Sequence, residues 1–180
     1  MKAIRAILIL VLSLSLTVTS SALGAFDKGI KAYKRLDFAQ ALKEFTADGG
    51  KEACFNLGVM YYKGEGVPVN REESFKWFLK AADLGHMNAQ FIIGTFFDKG
   101  EDMPLDRSAA ALWYKKAAEQ GHKQAQFNLG LMYANGDGVL KDRKEAVVWL
   151  KMAARQGHVN AQKLLRVMGE QLPLTVNQSQ

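Results

Sequence analysis

Residues 119–139, EQGHKQAQFNLGLMYANGDGV, set His122, Asn128, Asn135 and Asp137 among glycines, a composition that suits either a ligand site or a joint between helices. The surrounding chain decides between them. Counting 36 residues back from Gly130 reaches Gly94 and then Gly58. The same step links Gly157, Gly121 and Gly85, the adjacent His158, His122 and His86, then Trp149, Trp113 and Trp77, and Arg143, Arg107 and Arg71. Ala53, Ala89, Ala125 and Ala161 keep the register, with Gln90, Gln126 and Gln162 following the last three. No insertion interrupts it from Ala53 to Gln162. A fixed period of this length marks a repeat architecture, in which each unit buries its apolar face against its neighbours.

Each unit reads as two helices. In the first, successive residues about 100° apart place Ala53, Leu57, Gly58 and Tyr61 on one arc, an amphipathic face. The second, REESFKWFLKAADLG and its equivalents, is rich in Ala and ends at Gly, a helix stop. Gly58, Gly94 and Gly130 fall inside the first helices, where Gly costs about 1 kcal/mol relative to Ala. Close approach of the second helix explains them, and the recurring pairs Ala81-Ala82, Ala117-Ala118 and Ala153-Ala154 are the expected contact. Arg166 stands where the next Gly would fall, and no second helix follows it, so the last helix reads as a cap. The expected helices are 26–35, 38–48, 51–63, 71–84, 87–98, 106–120, 123–134, 142–156 and 159–168. Residues 26–50 form an N-terminal helical hairpin, 51–168 the repeats with their cap, and 169–180 a loose tail.

The first 25 residues differ in kind. Lys2 and Arg5 precede an apolar run from Ala6 to Leu16 and a small, polar stretch ending at Ala25, the order of a secretory signal peptide. The run is shorter than the roughly 20 residues that span a bilayer, so cleavage is expected after Ala22, Gly24 or Ala25, with no membrane anchor left. No Cys lies nearby to accept a lipid. Removing Lys2 and Arg5 takes the formal charge from +6 to +4. With no block of like charge, nucleic acid is not the expected partner. Cys54 is the only cysteine, so no intramolecular disulfide forms and stability comes from packing; it has no adjacent His or second Cys to activate it.

The stretch AA..GH..AQ..LG..Y..G.GV..D at residues 117–142 resembles the Sel-one-like repeat of the tetratricopeptide superfamily, and the resemblance covers about residues 51–162. Residues 26–50 look more like an ordinary tetratricopeptide hairpin. The resemblance implies an all-α, right-handed solenoid of αα-hairpins that acts as an interaction scaffold, often exported in bacteria and connected with the envelope. Some cysteine-rich members are described as penicillin-binding or β-lactamase-like. Their paired cysteines are missing here, as are an SxxK motif and a Ser-His-Asp arrangement.

The opening stretch is therefore a joint. His86, His122 and His158 occupy equivalent turns, which stacked helices separate by at least ~8–10 Å, too far apart to share a zinc bound at ~2 Å. Asn135-Gly136-Asp137-Gly138 and Gly64-Glu65-Gly66 lack EF-hand spacing and a P-loop Lys-Ser/Thr, so they read as turns between the helices of a unit. The middle copy, KGEDMPLD, lacks the second Gly and is expected to differ in shape. The Trp series and Phe55, Phe91 and Phe127 are periodic and read as frame.

Candidate binding positions are those that face away from the frame and vary between units. They are Asn56, Val59, Tyr62 and Lys63, then Ile92, Thr95, Asp98 and Lys99, then Asn128, Leu131, Ala134 and Asn135, aligned on the concave wall of related solenoids. The expected function is a non-catalytic, exported scaffold, periplasmic or secreted, that binds protein partners along this wall. It needs no cofactor or metal. The alternative is a cell-wall module that takes peptidoglycan glycan or peptide, stacked on an aromatic such as Tyr62; a β-lactamase-like hydrolase comes third.

Overall fold

The computed structural model describes residues 24–100 and 104–172. The signal segment before residue 24, the middle loop at 101–103 and the tail from 173 lie outside the described residues. Among the described residues there are nine helices and no strand. Residues 24–34 form α1. It is followed by α2 (Phe38–Asp48), α3 (Lys51–Lys63), α4 (Arg71–Asp83), α5 (Met87–Lys99), α6 (Arg107–Glu119), α7 (Lys123–Asn135), α8 (Arg143–Arg155) and α9 (Val159–Val167). They fall into two compact units that divide between Leu84 and Gly85.

In the first unit, α1 to α4, the core gathers Ala32, Ala41, Phe45, Ala53, Leu57 and Met60, with Trp77 half-buried against it. The α1–α2 turn places Leu36 at φ 62°, where an L side chain crowds its own backbone; elsewhere among the described residues this left-handed region is taken by glycine, as at Gly85, Gly121 and Gly157. Asp37 then caps α2 by accepting from Gln40 N at 3.2 Å.

The glycine expectation holds in place but not in partner. A Cβ on Gly58 would sit 2.6 Å from the Phe78 ring in α4. In the second unit, a Cβ on Gly94 would meet the Tyr114 ring of α6 at 2.6 Å, and one on Gly130 would meet Leu150 of α8 at 2.8 Å. Gly29 of α1 stands in the same relation to Phe45, at 2.6 Å. A bulky side chain, not the Ala pair, fills each approach. The Ala pairs of the second unit instead admit the following first helix: Ala118 O accepts from Gln126 Nε2 at 3.1 Å and Ala154 O from Gln162 Nε2 at 3.2 Å. In the second unit small residues are thus needed in two places, opposite the bulky side chain and where the next helix packs.

The second helices begin one residue later than the expected 106 and 142, because Asp106 and Asp142 act as N-caps, accepting from Ala109 N at 2.9 Å and from Lys144 N at 2.8 Å. A carboxylate there binds amides that have no intrahelical acceptor. In α9, Leu165 is fully buried while Arg166, at the register position of Gly130, is exposed. The described part of the expected loose tail contains a fixed residue, Glu170, which lies 3.2 Å from Lys151 and 3.6 Å from Arg143.

Candidate functional site

The three joint histidines are N-caps. Nδ1 of His86, His122 and His158 accepts from the amide of Ala89, Ala125 and Ala161 at 3.2, 3.1 and 3.2 Å. Accepting at Nδ1 requires the neutral ring with its proton on Nε2, and His158 Nε2 lies 3.0 Å from Gln124 Oε1, an acceptor for that proton. The rings of His122 and His158 stack on Phe91 and Phe127, centroids 4.3 Å apart in both pairs. Burial pushes the pKa of both below the usual histidine value, and Lys123 adds to the effect at His158. These rings hold the frame.

The candidate positions on α5 and α7 occupy the opposite side of each helix from Ile93, Gly94, Leu129 and Gly130. Ile92, Thr95, Asn128 and Leu131 are half-buried, and Lys99 and Asn135 are exposed. Three of the candidates, Thr95, Asp98 and Asn128, converge on one atom. Tyr114 sends its ring, 1% exposed, against Gly94, and its hydroxyl reaches through to this side. There it lies 3.4 Å from Thr95 Oγ1 and 3.3 Å from Asp98 Oδ2, with the Asn128 side chain as a further hydrogen-bond partner. Burial is the main cause of the rise in the Tyr114 pKa, so the hydroxyl stays protonated and able to donate. Thr95 is oriented by donating to Phe91 O at 3.0 Å, and Asn128 Oδ1 accepts from Gln124 Nε2 at 2.9 Å. The result is a pre-ordered polar cluster between two first helices.

Tyr114 was not among the sequence candidates. The signal was available: the residue that fills the glycine approach is Phe78, Tyr114 or Leu150, and only the middle one carries a hydroxyl. Asn135 turns away from this cluster and donates to Asp137 at 3.1 Å, which Arg107 in turn holds at 2.7 Å.

In the first unit, Asn56 and Val59 are half-buried and Tyr62 and Lys63 exposed. Asn56 donates to Glu52 O at 2.8 Å. The Arg71 guanidinium lies 3.8 Å from the Tyr62 ring centroid, over its face, and Lys63 pairs with Glu65 at 3.6 Å. These four positions are not drawn into a common cluster. Cys54 is buried and its thiol donates to Gly49 O at 3.4 Å; burial raises its pKa, which keeps it a thiol at neutral pH. Among the described residues, no group of three His, Cys, Asp or Glu is placed to hold a metal ion, and no helix is long and apolar enough to cross a membrane.

Comparison with known proteins matches three successive copies of the Sel1 repeat at residues 51–86, 88–122 and 123–158. Among solved structures, a Sel1 repeat protein from Oxalobacter formigenes superposes with a TM-score of 0.77 at 32% identity, over 88% of this chain and 48% of its own. The protein c5321, a protective antigen of uropathogenic Escherichia coli with the same repeat fold, gives a TM-score of 0.64 at 38% identity, over 69% of this chain and 27% of its own. Cysteine rich protein B of Helicobacter pylori gives 0.56 at 26% identity, over 72% of this chain and 95% of its own. A short segment of 45 residues is 56% identical to the Helicobacter pylori protein HcpC, whose name suggests a beta-lactamase. That segment is 23% of this chain and spans only 16% of HcpC.

Proposed function

Since this chain belongs to the Sel1 repeat family, we propose that it is an exported, non-catalytic scaffold that binds a protein partner along the variable sides of its first helices, α5 and α7 foremost. The observation that carries this reading is the Tyr114 hydroxyl cluster. Thr95, Asp98 and Asn128 are held in place before any partner arrives, so their donors and acceptors meet a partner without the entropic cost of ordering a loop. The half-buried aliphatic side chains of Ile92 and Leu131 supply apolar contact on the same sides of the same helices. An origin in the bacterial envelope and a periplasmic or secreted location rest on the N-terminal sequence and on the family resemblance.

Two observations count against the other readings. Tyr62, the aromatic on which a cell-wall sugar would stack, already carries the Arg71 guanidinium on its ring. A hydrolase akin to the cysteine-rich relatives would rest on a framework that a single buried cysteine does not provide. Site-specific photo-crosslinking in the native host tests the proposal, with the crosslinker at Lys99 or Asn135 and, as a control, at the exposed Lys76 on a second helix. Capture of one recurrent protein from the first two positions and not from the third supports the scaffold. Capture of none, together with co-sedimentation of the purified chain with isolated peptidoglycan, replaces it with a cell-wall module.

A further inference from the structure

The net charge of the chain after residue 25 is not spread along it. Residues 26–140 carry equal numbers of basic and acidic side chains, whereas residues 141–180 carry seven Lys and Arg against three Asp and Glu. The excess lies on α8 and α9. Arg143 and Lys151 are taken by Glu170, but Lys144, Arg155, Lys163 and Arg166 are exposed, and none has a carboxylate partner among the described residues.

On α9 the cations form a surface of definite shape. Val159, Lys163, Arg166 and Val167 recur at helical spacing on one arc, with Val159 59% and Val167 84% exposed. Lys163 and Arg166 stand one repeat beyond Phe127 and Gly130, the residues through which α7 receives α8. In the earlier first helices the positions of Lys163 and Arg166 face a second helix, while the position of Val167 is taken by Val59, Thr95 or Leu131 on the adjoining variable side. On α9 no described element covers these positions, and the glycine that would admit a close ring has become an arginine. A helix can still lie there, held further out, if its own side chains reach Lys163 and Arg166 as carboxylates and Val159 and Val167 as apolar groups.

A surface made only for solubility mixes charges of both signs; the charged side chains of α9 are Lys163 and Arg166, both positive. A second copy stacking its first helix here would bring Lys28, Lys31 and Lys34, all exposed on α1, against Lys163 and Arg166, so like charges oppose that assembly. We propose that the outer side of α9 docks an acidic, amphipathic helix of a partner protein, held by Lys163 and Arg166. This surface is distinct from the Tyr114 cluster and does not depend on it.

The test uses a fluorescently labelled synthetic helix with Glu and Leu at alternate turns of one side, bound to the full chain and followed by fluorescence anisotropy. The expected result is binding that weakens as salt is raised, falls at least tenfold in the Lys163→Glu/Arg166→Glu variant, and changes less than twofold in the Lys28→Glu/Lys31→Glu variant. Both cations on α9 are exposed, so the fold is expected to persist; should the charge reversal unfold the chain, Lys163→Gln/Arg166→Gln is expected to give the same loss. Equal losses in the α1 and α9 variants, or no loss in the α9 variant, overturn the proposal. So does binding of the chain to phosphatidylglycerol vesicles with none to the helix, which would make the surface a membrane contact.

Discussion

Gly94→Ala isolates the contact that sets the distance between α5 and α6. Inside a helix, Ala is favoured over Gly by about 1 kcal/mol, so the substitution would stabilise the chain if nothing lay opposite. Opposite lies Tyr114: the new methyl would stand 2.6, 2.8 and 3.2 Å from three of its ring carbons. The ring cannot step aside freely, because it is 1% exposed and its hydroxyl is held by Thr95 and Asp98. Overpacking of this kind costs about 1–3 kcal/mol, which offsets or outweighs the gain in helix propensity and leaves a net loss of about 0–2 kcal/mol. In a Tyr114→Ala background the ring is gone and only the propensity gain of about 1 kcal/mol remains. The cycle of four proteins, each unfolded in urea and followed by circular dichroism, should thus show the propensity gain appearing only once Tyr114 is removed, with a coupling of about 1–3 kcal/mol, the overpacking cost itself. The Gly94→Leu change should separate the two helices outright. If Gly94→Ala stabilises the wild type, or has the same effect with and without Tyr114, the packing account is wrong.

Other consequences follow from single residues. His122 and His158 have folded pKa values below the ordinary value of about 6.5, so the stability linked to their neutral form is complete above that pH and is lost as pH falls through the lowered folded values. The His122→Asn/His158→Asn variant keeps side-chain acceptors at the caps and should lose this acid sensitivity in thermal melts at pH 7 and pH 5; an unchanged pH dependence would rule the caps out as its cause. Leu36→Gly should raise stability by about 1 kcal/mol, because Leu36 sits at φ 62° and is 73% exposed, so relief of backbone strain comes with no loss of burial. Chemical denaturation measures it, and a loss would show that the exposed side chain matters to the fold. Gln126→Leu should cost about 1–3 kcal/mol, since Gln126 is 3% exposed and links Ala118 O to Gln156 Nε2. A neutral effect on the same denaturation curve would mean water replaces it.

The period of 36 residues made most of the fold legible, because a fixed register places every cap, glycine and turn at once. Helix ends were misjudged by a residue where Asp106 and Asp142 stand outside the helices they cap, since a good N-cap looks like the first residue of an amphipathic pattern. The partner of the glycines was misread for a related reason. On a helix, position 114 and positions 117 and 118 fall on neighbouring arcs, and only the packed structure tells which points at α5 and which at α7. Tyr114, beside Trp113, reads from its periodicity as core packing rather than as part of an aromatic groove; its ring is frame while its hydroxyl is not, a division within one side chain that periodicity cannot register. The histidines were legible as joints, but their role as acceptors at Nδ1 depends on ring orientation. Glu170 lay beyond the last repeat, where no register predicts a contact.

The central claim is that partner binding resides on the variable sides of α5 and α7, supported by a periodic frame that does not take part. Affinity for a partner captured by crosslinking, measured by calorimetry on the Thr95→Lys/Asn128→Lys variant and on the outer-surface Lys115→Glu variant, tests it most directly. The account predicts at least a tenfold loss, about 1.4 kcal/mol, for the first with its melting temperature preserved, and a change of less than about twofold for the second, as expected for an uninvolved surface position. Full affinity in the first variant, or the larger loss in the second, would contradict it.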